Sequence, residues 1–304
     1  MTETVTAVVV TYNRKQLLGE CIDALLQQTR VPDRILIIDN ASTDGTQEMF
    51  ADRADRAATP CEYVRLAKNV GGAGGFHEGM RLAQSAGADW LWLMDDDGWP
   101  APDCLATLLS CRNELRYLAP IVCDASNKEQ LAFNYSFGRF SLNSVEDINS
   151  LLVDRVPVVR PFNGVLVHRE LIDRIGLPME EMFIWGDEAE YMFRARHAGF
   201  GVASICAARF FHPPNRMVTR EVLGGILGQT FEAPLWRKYC FYRNQFVIRR
   251  KYRGLSPTFA WLLYSLAMRA AVGEFSTLPM MIRAFGDAMC GRWGREQELM
   301  KLDA

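Results

Sequence analysis

The first hundred residues alternate between short apolar runs and amphipathic segments. Four runs are typical of buried strands: Val5–Val10, Arg34–Ile38, Cys61–Leu66 and Trp90–Met94. Residues 15–28 place their apolar side chains on one helical face, and another helix is expected from about Phe76 to Ala86. Alternating strands and helices build a parallel sheet covered by helices, with ligands bound beyond the carboxyl ends of the strands. The sequence therefore predicts an α/β fold with a Rossmann-like, mostly parallel sheet.

Polar or glycine-rich segments follow each of these strands: Thr11–Arg14, Asp39–Asn40, Asn69–Gly75 and Asp95–Asp97. Because the carboxyl ends of parallel strands meet at one edge of a sheet, we expect the four segments to converge there. The glycine run is expected to be a loop that leads into a helix, where backbone amides attract anions. A flexible surface loop is the alternative. The closing Gly-Lys-Ser/Thr of a Walker loop is absent.

Three consecutive carboxylates, Asp95, Asp96 and Asp97, end the strand Trp90–Met94. Crowding like charges at the end of a buried strand is costly, and a divalent cation would remove that cost. Mg²⁺ and Mn²⁺ prefer carboxylate oxygens and often carry substrate phosphates as further ligands. The pattern favours a metal site over the alternative, an acidic loop facing water.

Two further segments supply candidate site residues. Asp187 and Glu188 stand at the start of an amphipathic helix that ends at Gly199. There they could form an ordinary acidic cap, but the preceding Phe-Ile-Trp favours a general base with a raised pKa. His212 follows an expected strand end; a lone histidine is more often structural, but imidazole suits a Mn²⁺-type site as an additional ligand.

Composition restricts the classes of protein that remain. The chain has 304 residues and a net charge of −2, which gives no overall nucleic-acid-binding signature. Its eight cysteines form no Cys-x-x-Cys pair, which argues against a structural zinc site and favours buried thiols in a reducing compartment. We expect neither a signal peptide nor a bilayer-spanning segment, since no apolar run reaches about 18 residues.

The last third of the chain has a different character, so residues 1–215 are predicted to form the catalytic domain and 216–304 a helical region. Trp236–Arg253 places aromatic residues on one helical face and basic residues on the other. Phe259–Ala271 is a second amphipathic segment. Both are expected to be packed helices with a basic rim facing a membrane surface, although solvated charge alone would also explain the pattern.

Several of these motifs together resemble glycosyltransferase family 2. They are Thr11–Arg14, Asp39–Thr46, the triple Asp, the Asp-Glu pair at a helix start and the late His212. Members of that family have the GT-A fold and are inverting, metal-dependent transferases that use nucleotide-diphosphate sugars. More narrowly, Asn69–Phe76, Phe183–Tyr191 and Tyr242–Asn244 resemble the bacterial galactofuranosyltransferases, among them the initiating galactan transferases. One departure is Glu188, where many members have Asp.

The resemblance implies a role for each candidate residue. Asp95, Asp97 and His212 would bind Mn²⁺ or Mg²⁺, and Asp96 would face the ribose or the donor sugar. Glu188 would deprotonate the acceptor while Asp187 orients a substrate. The uridine diphosphate end would be held by Thr11, Asn13, Arg14, Asp39, Asn69, Gly71 and Gly72.

The expected reaction is transfer of a galactofuranosyl residue from UDP-galactofuranose to a glycan carried on polyprenyl diphosphate, for cell-wall or surface polysaccharide. The enzyme would be cytoplasmic and peripheral at the inner face of the plasma membrane, without a nucleic-acid partner. A rhamnosyltransferase that uses dTDP-rhamnose and a non-catalytic sugar-nucleotide-binding protein remain alternatives. A sugar-nucleotide nucleotidyltransferase fits less well, because Thr11–Arg14 is not the glycine-rich basic loop of that class.

Overall fold

The chain divides into two units, and their boundaries differ from the predicted ones at one segment. The computed structural model describes residues 3–54, 59–159, 161–214, 218–225 and 228–301. The first unit comprises Met1–Glu180 and Tyr191–Asn215; the second comprises Glu181–Glu190 and Arg216–Ala304. Residues 181–190 therefore belong to the second unit, whereas the predicted boundary between residues 215 and 216 places them in the first domain.

The first unit is built around one large sheet. Its strands are β1 (Val5–Thr11), β2 (Arg34–Asp39), β3 (Cys61–Arg65), β4 (Trp90–Asp95), β5 (Trp99–Pro100), β6 (Tyr117–Asp124), β7 (Gln130–Phe137), β8 (Phe140–Ser144), β9 (Arg155–Val156), β10 (Asn163–His168) and β11 (Val202–His212). Its helices are α1 (Lys15–Leu26), α2 (Thr46–Ala54), α3 (Gly71–Ser85), α4 (Cys104–Ser110), α5 (Val145–Ser150) and α6 (Arg169–Ile175). A further helix, α7, spans Asp187–His197.

The strand order is β3-β2-β1-β4-β10-β6-β11-β5. Strand β1 is parallel to β2 and β4, and β2 is parallel to β3, so the predicted parallel α/β sheet is confirmed. Strand β10 runs antiparallel between β4 and β6. Successive side chains of β1 enter different cores: Val9 packs with Leu18, and Val8 packs with Met80. Burial on both faces explains why the strands are continuous apolar runs.

The glycine run does not form the predicted loop, because α3 already begins at Gly71. The reason is close packing of α3 on the sheet. A Cβ on Gly75 would lie 2.6 Å from Cγ1 of Val10, and one on Gly79 would lie 2.4 Å from Cγ1 of Val8. Glycines one turn apart therefore let the helix lie directly against β1.

In its described residues, the second unit contains a hairpin followed by helices: β12 (Thr219–Glu221), β13 (Gln229–Phe231), α8 (Leu235–Arg253), α9 (Leu255–Ala271), α10 (Leu278–Cys290) and α11 (Arg295–Met300). Its core contains Tyr239, Phe246, Leu262 and Met281. The predicted helices over Trp236–Arg253 and Phe259–Ala271 are confirmed. Across the described ranges, none of the helices has the length and apolarity needed to cross a bilayer.

Two basic residues of α8 are buried, so the alternative in which the charges of this helix are simply solvated does not hold for them. Arg243 is buried and its Nη1 lies 2.5 Å from Oε2 of Glu296, while Lys238 is buried and pairs with Glu274 at 2.8 Å. Each cation is matched by a carboxylate from a later part of the chain, which offsets the cost of removing it from water.

Candidate active site

The register of the parallel strands brings the predicted segments to one edge of the sheet. Thr11 pairs with Asp39 across β1 and β2, and Val10 pairs with Asp95 across β1 and β4. These pairs are the last of each ladder, so the residues that follow leave the sheet together. The expected convergence of Thr11–Arg14, Asp39–Asn40 and Asp95–Asp97 is thereby observed.

Asp96 is the innermost carboxylate of the triple Asp. It is 3% exposed, and its Oδ2 accepts a hydrogen bond of 2.6 Å from Oγ1 of Thr11. Nη1 of Arg14 lies 3.2 Å from Oδ1 of Asp96 and 2.6 Å from Oδ2 of Asp97. Burial raises the pKa of Asp96 to about 6, although Thr11 and Arg14 favour its ionised form. Part of the compensating positive charge that the acidic run requires is therefore supplied by Arg14.

Asp97 faces His212, which lies more than a hundred residues further along the chain. Nε2 of His212 is 3.2 Å from Oδ1 of Asp97. Gly98 makes this approach possible, because β5 pairs with β11 immediately after it. A Cβ on Gly98 would lie 2.4 Å from Cε1 of Phe210 and 2.8 Å from the carbonyl oxygen of Phe211. A glycine at this position therefore brings Asp97 alongside His212.

The Asp97–His212 pair has the properties of a partial metal site. Nδ1 of His212 lies 2.6 Å from the carbonyl oxygen of Pro213, so it must carry a proton, and the neutral ring then presents a lone pair on Nε2. Oδ1 of Asp97 is buried beside this ring; burial alone would raise the pKa of Asp97, but His212 and Arg14 beside it lower that pKa overall. Two acceptors this close repel each other unless a proton or a cation lies between them. A Mn²⁺-type ion accepts both donor types.

The third predicted ligand, Asp95, is not assembled with this pair into a complete site. In the described part of the chain, no group of three or more His, Cys, Asp or Glu side chains is placed to hold a metal. Burial lowers the pKa of Arg14, but the negative charges of Asp96, Asp97 and Asp95 raise it overall. Asp95 therefore lies near this guanidinium. Its role as a ligand stays a prediction.

Asp39 organises the loop that follows β2. The carboxylate is fully buried; Oδ1 accepts the Ser42 backbone N–H at 3.0 Å, and Oδ2 accepts the Tyr63 hydroxyl. Nε of Arg65 lies 3.7 Å from Oδ2. Burial and the nearby Asp39 raise the pKa of Tyr63. The predicted contact of Asp39 with uridine stays a prediction, because the contacts shown are with the protein.

Sequence reasoning missed Tyr63 and Arg65 as partners of Asp39. The available signal was their period-two spacing at the end of β3, since side chains two apart lie on the same face of a strand. Arg65 also pairs directly with Asp39 in the sheet register.

Asn13 joins the first loop to the second. It has a φ of 52°, its backbone N–H donates to Oγ of Ser42 at 2.8 Å, and its Oδ1 accepts the Thr43 N–H at 2.7 Å. At the next strand end, Oδ1 of Asn69 accepts the Gly71 N–H at 2.8 Å. The structure thus uses both asparagines to shape the loops at this edge.

Gly71 and Gly72 lie in the first turn of α3 and differ in their surroundings. Gly71 is buried with a φ of 75°, a conformation that favours glycine, whereas a Cβ on Gly72 would meet no atom within 4 Å. The expected contact of Gly71 and Gly72 with the uridine diphosphate stays a prediction, because these features describe only packing within the protein.

The second acidic pair lies in the second unit. Helix α7 starts at Asp187, which is 3% exposed, and Oε2 of Glu188 accepts the Gly186 N–H at 3.1 Å. Three carboxylates, Asp187, Glu188 and Glu190, stand in the first turn, where the helix dipole favours negative charge. Glu190, which sequence reasoning missed, is buried and accepts from Lys251 at 2.6 Å.

This sheet, with acidic residues after parallel strands, has the architecture of GT-A glycosyltransferases. Solved structures that share it include the following two. GalNAc-T7 with UDP, GalNAc and Mn²⁺ aligns with a TM-score of 0.61 and 14% identity, covering 94% of this chain and 56% of that chain. A mannosyltransferase of Pyrobaculum calidifontis with GDP-Man and Mn²⁺ aligns with a TM-score of 0.58 and 18% identity, covering 99% and 79%.

Sequence comparison then fixes the family. Residues 6–129 match the model of glycosyl transferase family 2. The galactofuranosyltransferase GlfT1 of Mycolicibacterium smegmatis is 34% identical over 252 residues, covering 80% of this chain and 82% of that protein. GlfT1 of Mycobacterium tuberculosis is 33% identical over 251 residues, covering 81% and 82%. The chain belongs to glycosyltransferase family 2 and is a galactofuranosyltransferase-like enzyme.

Proposed function

We propose that the enzyme transfers a galactofuranosyl residue from UDP-galactofuranose to a polyprenyl-diphosphate-linked glycan, with inversion at the anomeric carbon. The observation that carries the proposal is the similarity to galactofuranosyltransferases over about four-fifths of both chains. The expected product is a cell-wall or surface polysaccharide.

The donor side of the reaction is assigned to the edge of the first unit. Asp97 and His212 are the residues that would hold Mn²⁺ or Mg²⁺, with Asp95 as the further predicted ligand. A bound divalent ion would neutralise the charge that develops on the diphosphate leaving group. The UDP-sugar would be bound by Thr11, Asn13, Arg14, Asp39, Asn69, Gly71, Gly72 and Asp96.

The acceptor side is assigned to Glu188 and Asp187. Glu188 takes the proton from the acceptor hydroxyl, and Asp187 orients a substrate. Support for this choice comes from the hydrogen bond that the Gly186 N–H donates to Oε2 of Glu188, which fixes the carboxylate at a helix start. Direct attack of the deprotonated hydroxyl on the face opposite the leaving group inverts the anomeric centre.

Peripheral contact with the inner face of the plasma membrane is proposed for the second unit. Residues 235–273 contain Lys and Arg but no Asp or Glu. In the predicted basic stretch, Arg249 stacks on Trp261 at 4.5 Å and Lys251 pairs with Glu190, whereas Arg253 is exposed. Large apolar side chains exposed in this unit include Leu255, Phe259, Leu263, Tyr264, Phe275 and Ile282. Apolar side chains beside cations suit an anionic bilayer surface.

The test is transfer to a polyprenyl-diphosphate-linked acceptor with a panel of donors: UDP-galactofuranose, UDP-galactopyranose and dTDP-rhamnose. We expect turnover with UDP-galactofuranose and a product of inverted configuration by NMR. Turnover with dTDP-rhamnose alone would support the rhamnosyltransferase. Tight UDP binding without turnover of any donor would support a non-catalytic binding protein.

A further inference from the structure

The segment that precedes Asp187 and Glu188 has an unusual backbone. Phe183 and Trp185 both have a φ of 62°, and Gly186 has a φ of 119°. Large side chains are rarely found at positive φ, and such residues persist only where their surroundings hold the backbone in place. Residues 183–186 therefore require partners that maintain this conformation.

The side chain of Asn244 on α8 supplies part of that support. Its Nδ2 lies 2.9 Å from each of the carbonyl oxygens of Met182, Ile184 and Trp185, which share its two N–H groups. Asn244 is fully buried, so no water competes for these bonds. One amide group thus binds three carbonyls of the strained turn.

Arg243 extends the same contact. Its Nη2 donates to the carbonyl oxygens of Glu181 at 3.2 Å and Met182 at 2.9 Å, and its Nε donates to Oδ1 of Asn244 at 3.0 Å. The guanidinium is itself fixed by Glu296, at 2.5 Å from Nη1. Because an arginine fork holds several acceptors in fixed directions, Arg243 orients the Asn244 amide as well as the turn.

The held turn ends at the group that orients Glu188. The Gly186 N–H donates to Oε2 of Glu188 at 3.1 Å. A Cβ on Gly186 would lie 3.2 Å from Cβ of Asn244, so the two residues are in close contact. Displacement of the turn would therefore move the N–H that fixes the Glu188 carboxylate.

We propose that Arg243 and Asn244 are positioning residues, which hold residues 183–186 so that Glu188 is aligned to accept the acceptor proton. The inference rests on the proposed function, because it assigns Glu188 as the base. Ordinary helix packing would require neither a buried amide directed at three carbonyls nor two large residues at positive φ.

The test is a double-mutant cycle between Asn244→Ala and Glu188→Gln. Asn244→Ala should lower kcat at least 10-fold, leave the Kd for UDP within twofold, and shift the acid limb of the kcat–pH profile. In the Glu188→Gln enzyme the same change should alter the remaining kcat by less than twofold, since residues that act together are not additive. Equal losses in both backgrounds would overturn the proposal.

A packing control separates positioning from lost stability. Phe246→Leu on the same helix removes buried aromatic packing against Trp261 and Phe285, and it keeps the hydrogen bonds that Arg243 and Asn244 donate to carbonyl oxygens of residues 181–185. It should lower Tm but keep kcat within twofold; a kcat loss equal to that of Asn244→Ala would overturn the proposal.

If Asn244→Ala does not fold, Arg243→Lys provides the same measurement. It keeps a cation beside Glu296 but loses the fork that reaches the turn carbonyls, and the same cycle with Glu188→Gln applies. Full activity of Glu188→Gln alone would refute the assignment of Glu188 as the base. That outcome differs from one in which Glu188→Gln is impaired but its loss simply adds to that of Asn244→Ala, which would refute only the positioning role.

Discussion

Gly98→Ala is expected to separate Asp97 from His212 and so weaken metal binding. The new Cβ would lie 2.8 Å from the carbonyl oxygen of Phe211 and 2.4 Å from the Phe210 ring. A backbone oxygen cannot turn away as a flexible side chain can, so β5 and the end of β11 must move apart. Moving the Phe211 carbonyl oxygen from 2.8 Å to an ordinary contact of 3.4 Å requires a shift of about 0.6 Å, whereas metal–ligand distances tolerate about 0.2 Å.

The expected magnitude follows from this displacement. Overpacking typically costs about 1–3 kcal/mol, which corresponds to a Tm lowered by several degrees in a chain of this size. Displaced or unsupported ligands typically cost about 10–100-fold in metal affinity, so the Kd for Mn²⁺ should rise at least about 10-fold. Free Mn²⁺ measured by EPR gives this Kd without any activity assay.

Two further variants calibrate the measurement. Asp97→Ala removes a predicted ligand and should abolish specific Mn²⁺ binding and transfer while the circular dichroism spectrum is kept. Gly286→Ala, in α10, adds the same methyl group where no atom lies within 4 Å, and should leave the Kd for Mn²⁺ unchanged while gaining up to about 1 kcal/mol of helix stability. If Gly98→Ala binds Mn²⁺ like the wild type, the spacing argument fails.

Further substitutions test the catalytic base, the membrane surface and the buried charges. Glu188→Gln should lower kcat about 10²-fold or more with UDP binding unchanged, measured by steady-state kinetics and calorimetry; an unchanged kcat would contradict it. Phe259→Ser combined with Leu263→Ser should reduce cosedimentation with anionic liposomes, whereas unaltered pelleting would place the contact elsewhere. Glu296→Ala should lower the free energy of unfolding by about 3–5 kcal/mol in urea titrations, because it leaves buried Arg243 unpaired. Glu298→Ala, at an exposed position, should change it by less than about 0.5 kcal/mol. Liposome binding should also weaken, and become less salt-dependent, when four basic residues are changed to Gln: Arg249, Arg250, Lys251 and Arg253.

The strands and the convergence of their polar ends at one edge of the sheet were predictable because both are encoded locally. Each of β1, β2 and β4 is an apolar run that ends at a polar residue, and parallel pairing then brings those ends together without further information. The antiparallel insertion of β10 between β4 and β6 was not predictable, since no local pattern states which strand will be its neighbour.

Within the candidate site, the sequence suggested candidate residues but not the contacts that these residues make with one another. The triple Asp pointed to a cation, and the structure supplies Arg14, whose Nη1 lies 2.6 Å from Asp97, as part of that positive charge. The approach of His212 to Asp97 depends on the pairing of β5 with β11, a contact between distant parts of the chain. Gly98 was the one local sign of it, because a glycine directly after an acidic run permits a close turn.

The expectation that the glycine run forms a loop is wrong for a related reason, because α3 begins at Gly71. Glycine-rich composition indicates flexibility when nothing packs on it, but Gly75 and Gly79 are spaced one helical turn apart and face β1. That spacing, rather than the number of glycines, carries the information about close helix–sheet packing.

The charges of α8 show the limit of helical periodicity most directly. A charged residue on a helix is normally solvated, and by that rule Lys238 and Arg243 belonged to an exposed basic face. Their partners, Glu274 and Glu296, lie 36 and 53 residues further along the chain. A local pattern cannot distinguish a cation that faces water from one that a distant carboxylate will bury. The same limit applies to Asn244, whose three carbonyl partners come from residues that precede it by about 60 positions.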